Sequence, residues 1–159
     1  MYVCALLFFV LSNSLIGRVI YVNRYASGSG NGLSWEEAYI FLQDALVIAE
    51  IGDEIWVAQG IYKPDQGVGL TAGDRIASFA LKSGVAMYGG FVGIETSLEQ
   101  RNWRINETIL SGDLIGDDRA GFTNISDNSY RIVNGGGVDT TSILDGFTIT
   151  GGNANTDYP

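Results

Sequence analysis

The sequence predicts an all-β fold, a parallel β-helix that begins with one amphipathic α-helix. Short apolar runs, each closed by glycine, follow one another from Ile76 onward. Tyr88-Gly89-Gly90, Leu110-Ser111-Gly112 and Val133-Asn134-Gly135 are separated by 22 and then 23 residues. Such spacing is typical of stacked repeats, and short β-rich runs favour strands over helices. Only residues 34–63 contain a convincing helical pattern.

The helical pattern is predicted to start at Ser34. Glu37 follows three residues later, which is the spacing of a capping box. Apolar residues then recur at helical intervals; they are Trp35, Ala38, Leu42, Ala45, Leu46 and Ala49. Gly52 is the predicted stop, because glycine enters the left-handed conformation without steric cost. A strand over residues 55–57 follows.

The position of this helix predicts its role. The first coil of a parallel β-helix exposes unpaired N–H and C=O groups, which invite aggregation unless they are covered. We therefore expect the apolar face made by Leu42, Ala45 and Leu46 to cover the open end of the core. The alternative is a β-sandwich with one helix, because regularly spaced strands also occur in sandwiches.

Composition excludes several classes of function. The 159 residues suffice for one domain, and the net charge of −9 argues against nucleic acid or an anionic membrane as a partner. The chain contains no histidine. Catalysis by Ser–His or Cys–His pairs and metal binding by imidazole are therefore excluded for this sequence.

Residues 1–17 have the length and apolar character of a signal peptide, although they lack the usual basic start. A buried first strand or helix is the alternative for this run, which is too short to span a bilayer comfortably. Cleavage would remove Cys4, leaving no cysteine and no membrane span. The predicted localisation is therefore extracytoplasmic, secreted or at the cell surface.

Several blocks of the chain resemble one bacterial family: SWEEAYIFLQDALVIAEIGDEIWVAQGIYKP, FALKSGVAMYGGFVGIETSLEQRNW, ETILSGDLIGDD, NSYRIVNGGG and SILDGFTITGGNAN. They are similar to the N-terminal region of exported right-handed parallel β-helix proteins of the pectin-lyase-like superfamily, akin to polymorphic outer-membrane-protein repeat proteins. The resemblance spans about residues 20–155. It implies that residues 18–159 form the cap and first coils of a β-helix. A solenoid should end in a polar cap, and none is visible, so we expect further coils to follow.

The superfamily contains enzymes and non-enzymes, so function depends on particular residues. Polygalacturonase-like members carry Asn-Thr-Asp, then Asp-Asp, then Gly-His-Gly. Here Asn155-Thr156-Asp157 and Gly116-Asp117-Asp118 occur in the reverse order, and the histidine motif is missing. We therefore assign no catalytic residue.

A calcium site is a second hypothesis, since pectate-lyase-like members hold calcium through Asp side chains beside a basic residue. Asp113, Asp117 and Asp118 form the densest acidic group in the chain. Four other residues lie nearby in sequence: Asp127, Asn128, Arg119 and Arg131. Ca²⁺ needs six to eight oxygen ligands, but acidic loops are more commonly just solvated. We therefore predict no cofactor, and keep structural calcium as the alternative.

Tryptophans are the candidate sugar-stacking residues. Trp35 belongs to the helical series and is expected in the core, and Trp56 is expected to point away from Ile55 and Val57. Trp103 is the best candidate for an exposed aromatic, although we expect packing there too, because aromatic side chains readily fill cores.

The predicted function is a non-catalytic secreted or cell-surface β-helix, an adhesin or a scaffold that contacts carbohydrate or matrix. Its expected partner is an extracellular polysaccharide or another surface molecule. The alternative is a polysaccharide lyase or glycoside hydrolase whose active site lies on coils beyond residue 159.

Overall fold

A computed structural model of the protein describes residues 17–155. The predicted signal peptide lies outside the described residues apart from Gly17. Sheet is the main regular structure, with one α-helix in the described part of the chain. The elements are β1 (Val19–Val22), α1 (Leu42–Ile48), β2 (Glu54–Ala58), β3 (Gly60–Tyr62), β4 (Phe79–Ala80), β5 (Ala86–Phe91), β6 (Thr108–Ser111), β7 (Val133–Asn134), β8 (Ile143–Asp145) and β9 (Phe147–Thr150), with short 3₁₀ helices at Leu98–Gln100 and Ile125–Asp127.

The strands form three small parallel sheets. Sheet 1 has the order β1-β2-β5-β8, sheet 2 the order β3-β6-β9, and sheet 3 pairs β4 with β7. The chain visits the sheets in turn, β2-β3-β4, then β5-β6-β7, then β8-β9, and we call each such round a pass. Every pairing between these strands is parallel. A β-sandwich is antiparallel, so that alternative is wrong.

The spacing of 22 and 23 residues does not separate stacked strands, and this part of the prediction is wrong. The three glycine-closed runs belong to β5, β6 and β7, which lie in three different sheets of one pass. The true neighbours are further apart in sequence, as the register pairs Glu54 with Ala86 and Ala86 with Ile143. Glycine turns close each strand locally, whereas stacking depends on the lengths of the loops between strands.

The helix is shorter than predicted at both ends. Half of the capping box forms, since Ser34 Oγ accepts the Glu37 N–H at 3.2 Å. The Glu37 carboxylate instead accepts the Ser29 N–H at 2.6 Å, and the Tyr39 backbone pairs with β1. Residues 34–37 therefore form bends and a turn, and α1 begins only at Leu42. It ends at Ile48, before Gly52, whose φ of 96° serves the following turn.

The apolar face of α1 packs into the core, as predicted. Leu42, Ala45 and Leu46 are all nearly inaccessible to solvent. The helix lies against β1, β2 and β4 and therefore contacts strands of two sheets. The same core contains inward side chains of all three sheets, among them Ile20, Val22, Ile55, Val57, Met87, Tyr62, Leu110 and Phe79.

The outer face of sheet 1 carries an aromatic cluster of Tyr21, Trp35, Trp56 and Phe91. The Trp56 ring stacks on Phe91 at a centroid distance of 4.8 Å, and Tyr21 packs edge-on against both tryptophans. Trp56 does point away from Ile55 and Val57, as predicted. Trp35 lies in this cluster, not on the helix, and its Nε1 donates to the Glu95 carbonyl at 2.9 Å. The outer side chains of β1, β2 and β5 therefore pack together at this cluster, with Trp35 contributed by the loop that precedes α1.

Within residues 17–155, none of the helices has both the length and the apolar character needed to cross a bilayer.

Candidate functional site

Two regions at the surface bring together the candidate residues. The first, the acidic loop, is residues 112–132 between β6 and β7. The second, the Trp103 face, is formed by the loop of residues 92–107 and by the start of β9.

The acidic loop is folded around the Asp113 carboxylate. Asp113 Oδ1 accepts the N–H groups of Gly116 at 2.6 Å and Asp117 at 3.1 Å, and Oδ2 accepts the N–H of Asp118 at 3.2 Å. The Asp113 N–H in turn donates to Ser111 Oγ at the end of β6. Consecutive N–H groups that converge on one carboxylate make a tight turn. This turn brings the next two carboxylates back towards Asp113.

The base of the loop is fixed to other parts of the fold by Asn128 and Ser129, both fully buried. The Ser129 N–H donates to the Gly112 carbonyl at 2.8 Å, and Arg75 Nε donates to the Asn128 carbonyl at 2.7 Å. The Asn153 N–H donates to the Ser129 carbonyl at 2.9 Å. The loop is thus bound to segments that precede β4 and follow β9.

The structure brings Asp113, Asp117 and Asp118 together, with one oxygen of each within 4.8 Å of the others. Asn128 contacts this group from the buried side of the loop, where its Nδ2 donates to Asp118 Oδ2 at 2.7 Å. The other oxygen of Asp118 and the side-chain oxygen of Asn128 are buried without a hydrogen-bond partner.

The remaining residues of the predicted acidic group do not join this triad. Asp127 accepts the Ile115 N–H at 3.0 Å and so braces the loop. The Arg119 backbone pairs with Thr123. The Asn155 side chain accepts a hydrogen bond from Arg75, and its sequence neighbours Thr156 and Asp157 lie outside the described residues.

The Trp103 face projects from sheet 1. Gly90, with φ 96°, allows the loop to approach closely, because a Cβ there would lie 2.6 Å from Trp103 Cα. Trp103 is nevertheless 51% exposed, so the expectation that it packs is wrong. Its backbone is packed and its indole ring faces solvent.

Charged groups surround this indole. Arg101 bonds Asp145 at 2.5 Å and the Gly89 carbonyl at 3.2 Å, and its guanidinium lies over the Tyr88 ring at 5.1 Å. The Arg104 guanidinium lies 4.9 Å from the Trp103 ring centroid. Burial, together with nearby acidic groups, raises the pKa of Tyr88 despite the opposing charge of Arg101.

Two shallow cavities share Trp103. One, of about 340 Å³, is lined by Trp103, Asp145, Gly146, Phe147 and Thr148. The other, of about 330 Å³, is lined by Leu98, Glu99, Arg101 and Trp103. Both volumes are at the lower end of the range for small-ligand sites.

The loop that carries Trp103 is held by Glu95. Its carboxylate accepts the N–H groups of Val92, Gly93 and Ile94 at 2.6 to 3.0 Å. Burial raises the pKa of this group, but the backbone hydrogen bonds together outweigh burial and lower it. The sequence analysis missed this role of Glu95, and it missed the Arg101–Asp145 pair, which depends on the pairing of β5 with β8.

No protein-family model, no curated protein and no solved structure matches this chain.

Proposed function

We propose that the chain winds as a right-handed parallel β-helix, with each pass forming one coil and α1 covering the first. The supporting observation is that the second pass adds a parallel strand to each of the three sheets, and the third pass adds a further strand to sheets 1 and 2. Ile55 lies beside Met87 and Met87 beside Leu144, so side chains of one kind stack in rows. The position of α1 against β1, β2 and β4 fits a cap at the end where β1 is the edge strand.

On this scaffold we propose a non-catalytic role in contacting extracellular carbohydrate. The observation that carries this proposal is the exposed Trp103 side chain, which lines two cavities. A sugar ring has an apolar face of C–H groups and a rim of hydroxyls. An indole offers a flat apolar surface on which the C–H face can stack, and charged groups form strong hydrogen bonds with the hydroxyls.

The groups around Trp103 are suited to such hydrogen bonds. Asp145 and Glu99 supply acceptors, and Arg101 supplies donors. The Thr148 hydroxyl donates to Glu107 and can accept a further hydrogen bond. Asp145 pairs with Arg101, and Glu99 lines the same cavity as Arg101, so an acidic or a neutral sugar meets charges of both signs there.

An extracytoplasmic location is part of this proposal, because polysaccharide of this kind is met outside the cell. It rests on the signal-peptide pattern of residues 1–17. The alternative, a polysaccharide lyase or hydrolase active on further coils, shares the same scaffold and differs in releasing products.

Affinity electrophoresis tests the carbohydrate proposal. The protein is run in native gels that contain polygalacturonate or a neutral β-glucan, and retardation relative to a plain gel is measured. We expect Trp103→Ala to lose the retardation that the wild type shows. Ile94→Ala is the matched control, since Ile94 is 79% exposed on the same loop, and it should run as the wild type does.

Two results would count against the proposal. A wild type that migrates equally in all gels would overturn carbohydrate contact. Retardation that survives Trp103→Ala would remove Trp103 from it. Release of unsaturated products from polyuronate with calcium, followed by ultraviolet absorbance, would favour the lyase alternative for the full-length protein.

A further inference from the structure

The acidic loop concentrates negative charge beyond what its own hydrogen bonds require. The carboxylates of Asp113, Asp117 and Asp118 place one oxygen each within 4.8 Å of the others. Like charges at this separation repel each other. Asp113 is needed to fold the turn, whereas Asp117 takes part in the loop's hydrogen bonds through its backbone. The hydrogen bonds that fold the turn therefore do not require a carboxylate at residue 117.

A second observation comes from the buried side of the loop. Asn128 is 0% exposed, and its amide points at the acidic group, since Nδ2 donates to Asp118 Oδ2. Its oxygen Oδ1 has no hydrogen-bond partner, and neither does Asp118 Oδ1. Leaving buried oxygens unsatisfied costs free energy, so such atoms normally have a donor, a water or a cation beside them. Both unsatisfied oxygens belong to one pair of hydrogen-bonded residues at the triad.

We propose that the acidic loop binds one Ca²⁺ ion through the carboxylates of Asp113, Asp117 and Asp118. The donor set consists of oxygens, which suit hard cations and not zinc or copper. Ca²⁺ accepts irregular arrangements of six to eight oxygens, whereas Mg²⁺ demands a near-ideal octahedron. Three carboxylates in a short loop, with water molecules as the remaining ligands, therefore suit Ca²⁺ better than Mg²⁺.

Bound Ca²⁺ would offset most of the negative charge of the triad and hold the loop on the Asn128–Ser129 base. Because that base is bonded to Gly112, Arg75 and Asn153, the ion would hold together segments from successive passes. This site is independent of the Trp103 face, and its failure would leave the proposed carbohydrate contact unaffected.

The experiment is a titration of the chelator-treated protein with CaCl₂, followed by isothermal calorimetry and by the midpoint of thermal unfolding. We expect one ion per chain and a Kd of about 10⁻⁴ to 10⁻³ M, the range of extracellular calcium modules. At a hundredfold excess over Kd, the midpoint should rise by about 5 to 10 °C. MgCl₂ at equal concentration should raise it far less.

Variants separate the site from a general effect of charge. Asp117→Asn keeps the backbone contacts of the loop and should weaken calcium binding at least tenfold. Glu36→Gln makes the same change of charge at an exposed residue outside the loop and should bind calcium as the wild type does. Absence of calcium heat in the wild type would overturn the proposal, as would equal shifts for both variants or equal shifts with magnesium.

Discussion

The packing of α1 into the core yields the sharpest test of the fold. Leu42 is 1% exposed, and Val47, on the same helix, is 76% exposed. A helix of only seven residues is not stable alone, so the helix depends on what its apolar face buries. Leu42→Ala removes a full side chain from the core and leaves a cavity, which costs about 3 kcal/mol. Val47→Ala removes an exposed side chain and slightly favours the helix, so its effect should be near zero.

Urea denaturation followed by far-ultraviolet circular dichroism measures the difference. A loss of about 3 kcal/mol corresponds to a midpoint about 1 to 2 M lower in urea. Replacing both Leu42 and Leu46 with Asp buries two charges as well. That cost is comparable to the whole stability of a domain, so this variant should aggregate or fail to fold. Equal midpoints for Leu42→Ala and Val47→Ala would refute the lid assignment, as would a soluble double-Asp variant with a wild-type spectrum.

Two further predictions concern stability. Hydrogen bonds outweigh burial and lower the pKa of both Asp53 and Glu95. The two carboxylates therefore stabilise the fold fully above their ordinary pKa values of 3.8 and 4.5, and this stabilisation is lost as the pH falls through their lower pKa values in the folded protein. In Asp53→Asn or Glu95→Gln, the urea midpoint should therefore fall less steeply with decreasing pH than in the wild type. Gly90→Ala should destabilise the protein more than Gly30→Ala, because both have positive φ but only Gly90 faces Trp103 backbone.

Each of these has a clear contrary result. If the urea midpoint falls equally with decreasing pH in the wild type, in Asp53→Asn and in Glu95→Gln, other groups cause the loss of stability in acid. Equal midpoints for the two glycine variants would show that the loop does not approach Gly90 closely.

The local patterns in the sequence predicted the strands and the buried face of the helix. Short apolar runs closed by glycine become β5, β6 and β9, and the strand predicted over residues 55–57 lies in β2, whereas β3 and β8 were not predicted. Leu42, Ala45 and Leu46 are buried because their spacing places them on one side of any helix. These features depend on neighbours in sequence, and they were predictable for that reason.

The predictions that were wrong concern features that depend on contacts between residues distant in sequence. The helix begins late because Tyr39 pairs with β1 and Ser29 takes the Glu37 carboxylate. The stacking distance was wrong because the runs that are 22 and 23 residues apart lie in three different sheets of one pass, and local sequence does not show which strands pair. Trp103 is exposed although its backbone packs closely against Gly90, because that contact involves the Trp103 backbone and not its ring. The acidic triad and its neighbour Asn128 were found from sequence density, but the complete burial of Asn128 and its hydrogen bond to Asp118 were visible only in the fold.

The stacking of successive passes is the central claim, and disulfide trapping tests it most directly. Ile61 lies beside Ile109, and Ile109 beside Thr148, on neighbouring parallel strands of sheet 2. Neighbouring strands are about 4.8 Å apart, within reach of a disulfide, whereas strands two apart are not.

In a Cys4→Ser background, the cysteine pairs 61/109 and 109/148 should cross-link under mild oxidation, and the pair 61/148 should not. Mass spectrometry of the unreduced digests identifies the links. Failure of the first two pairs, or efficient cross-linking of the third, would contradict the stacked arrangement.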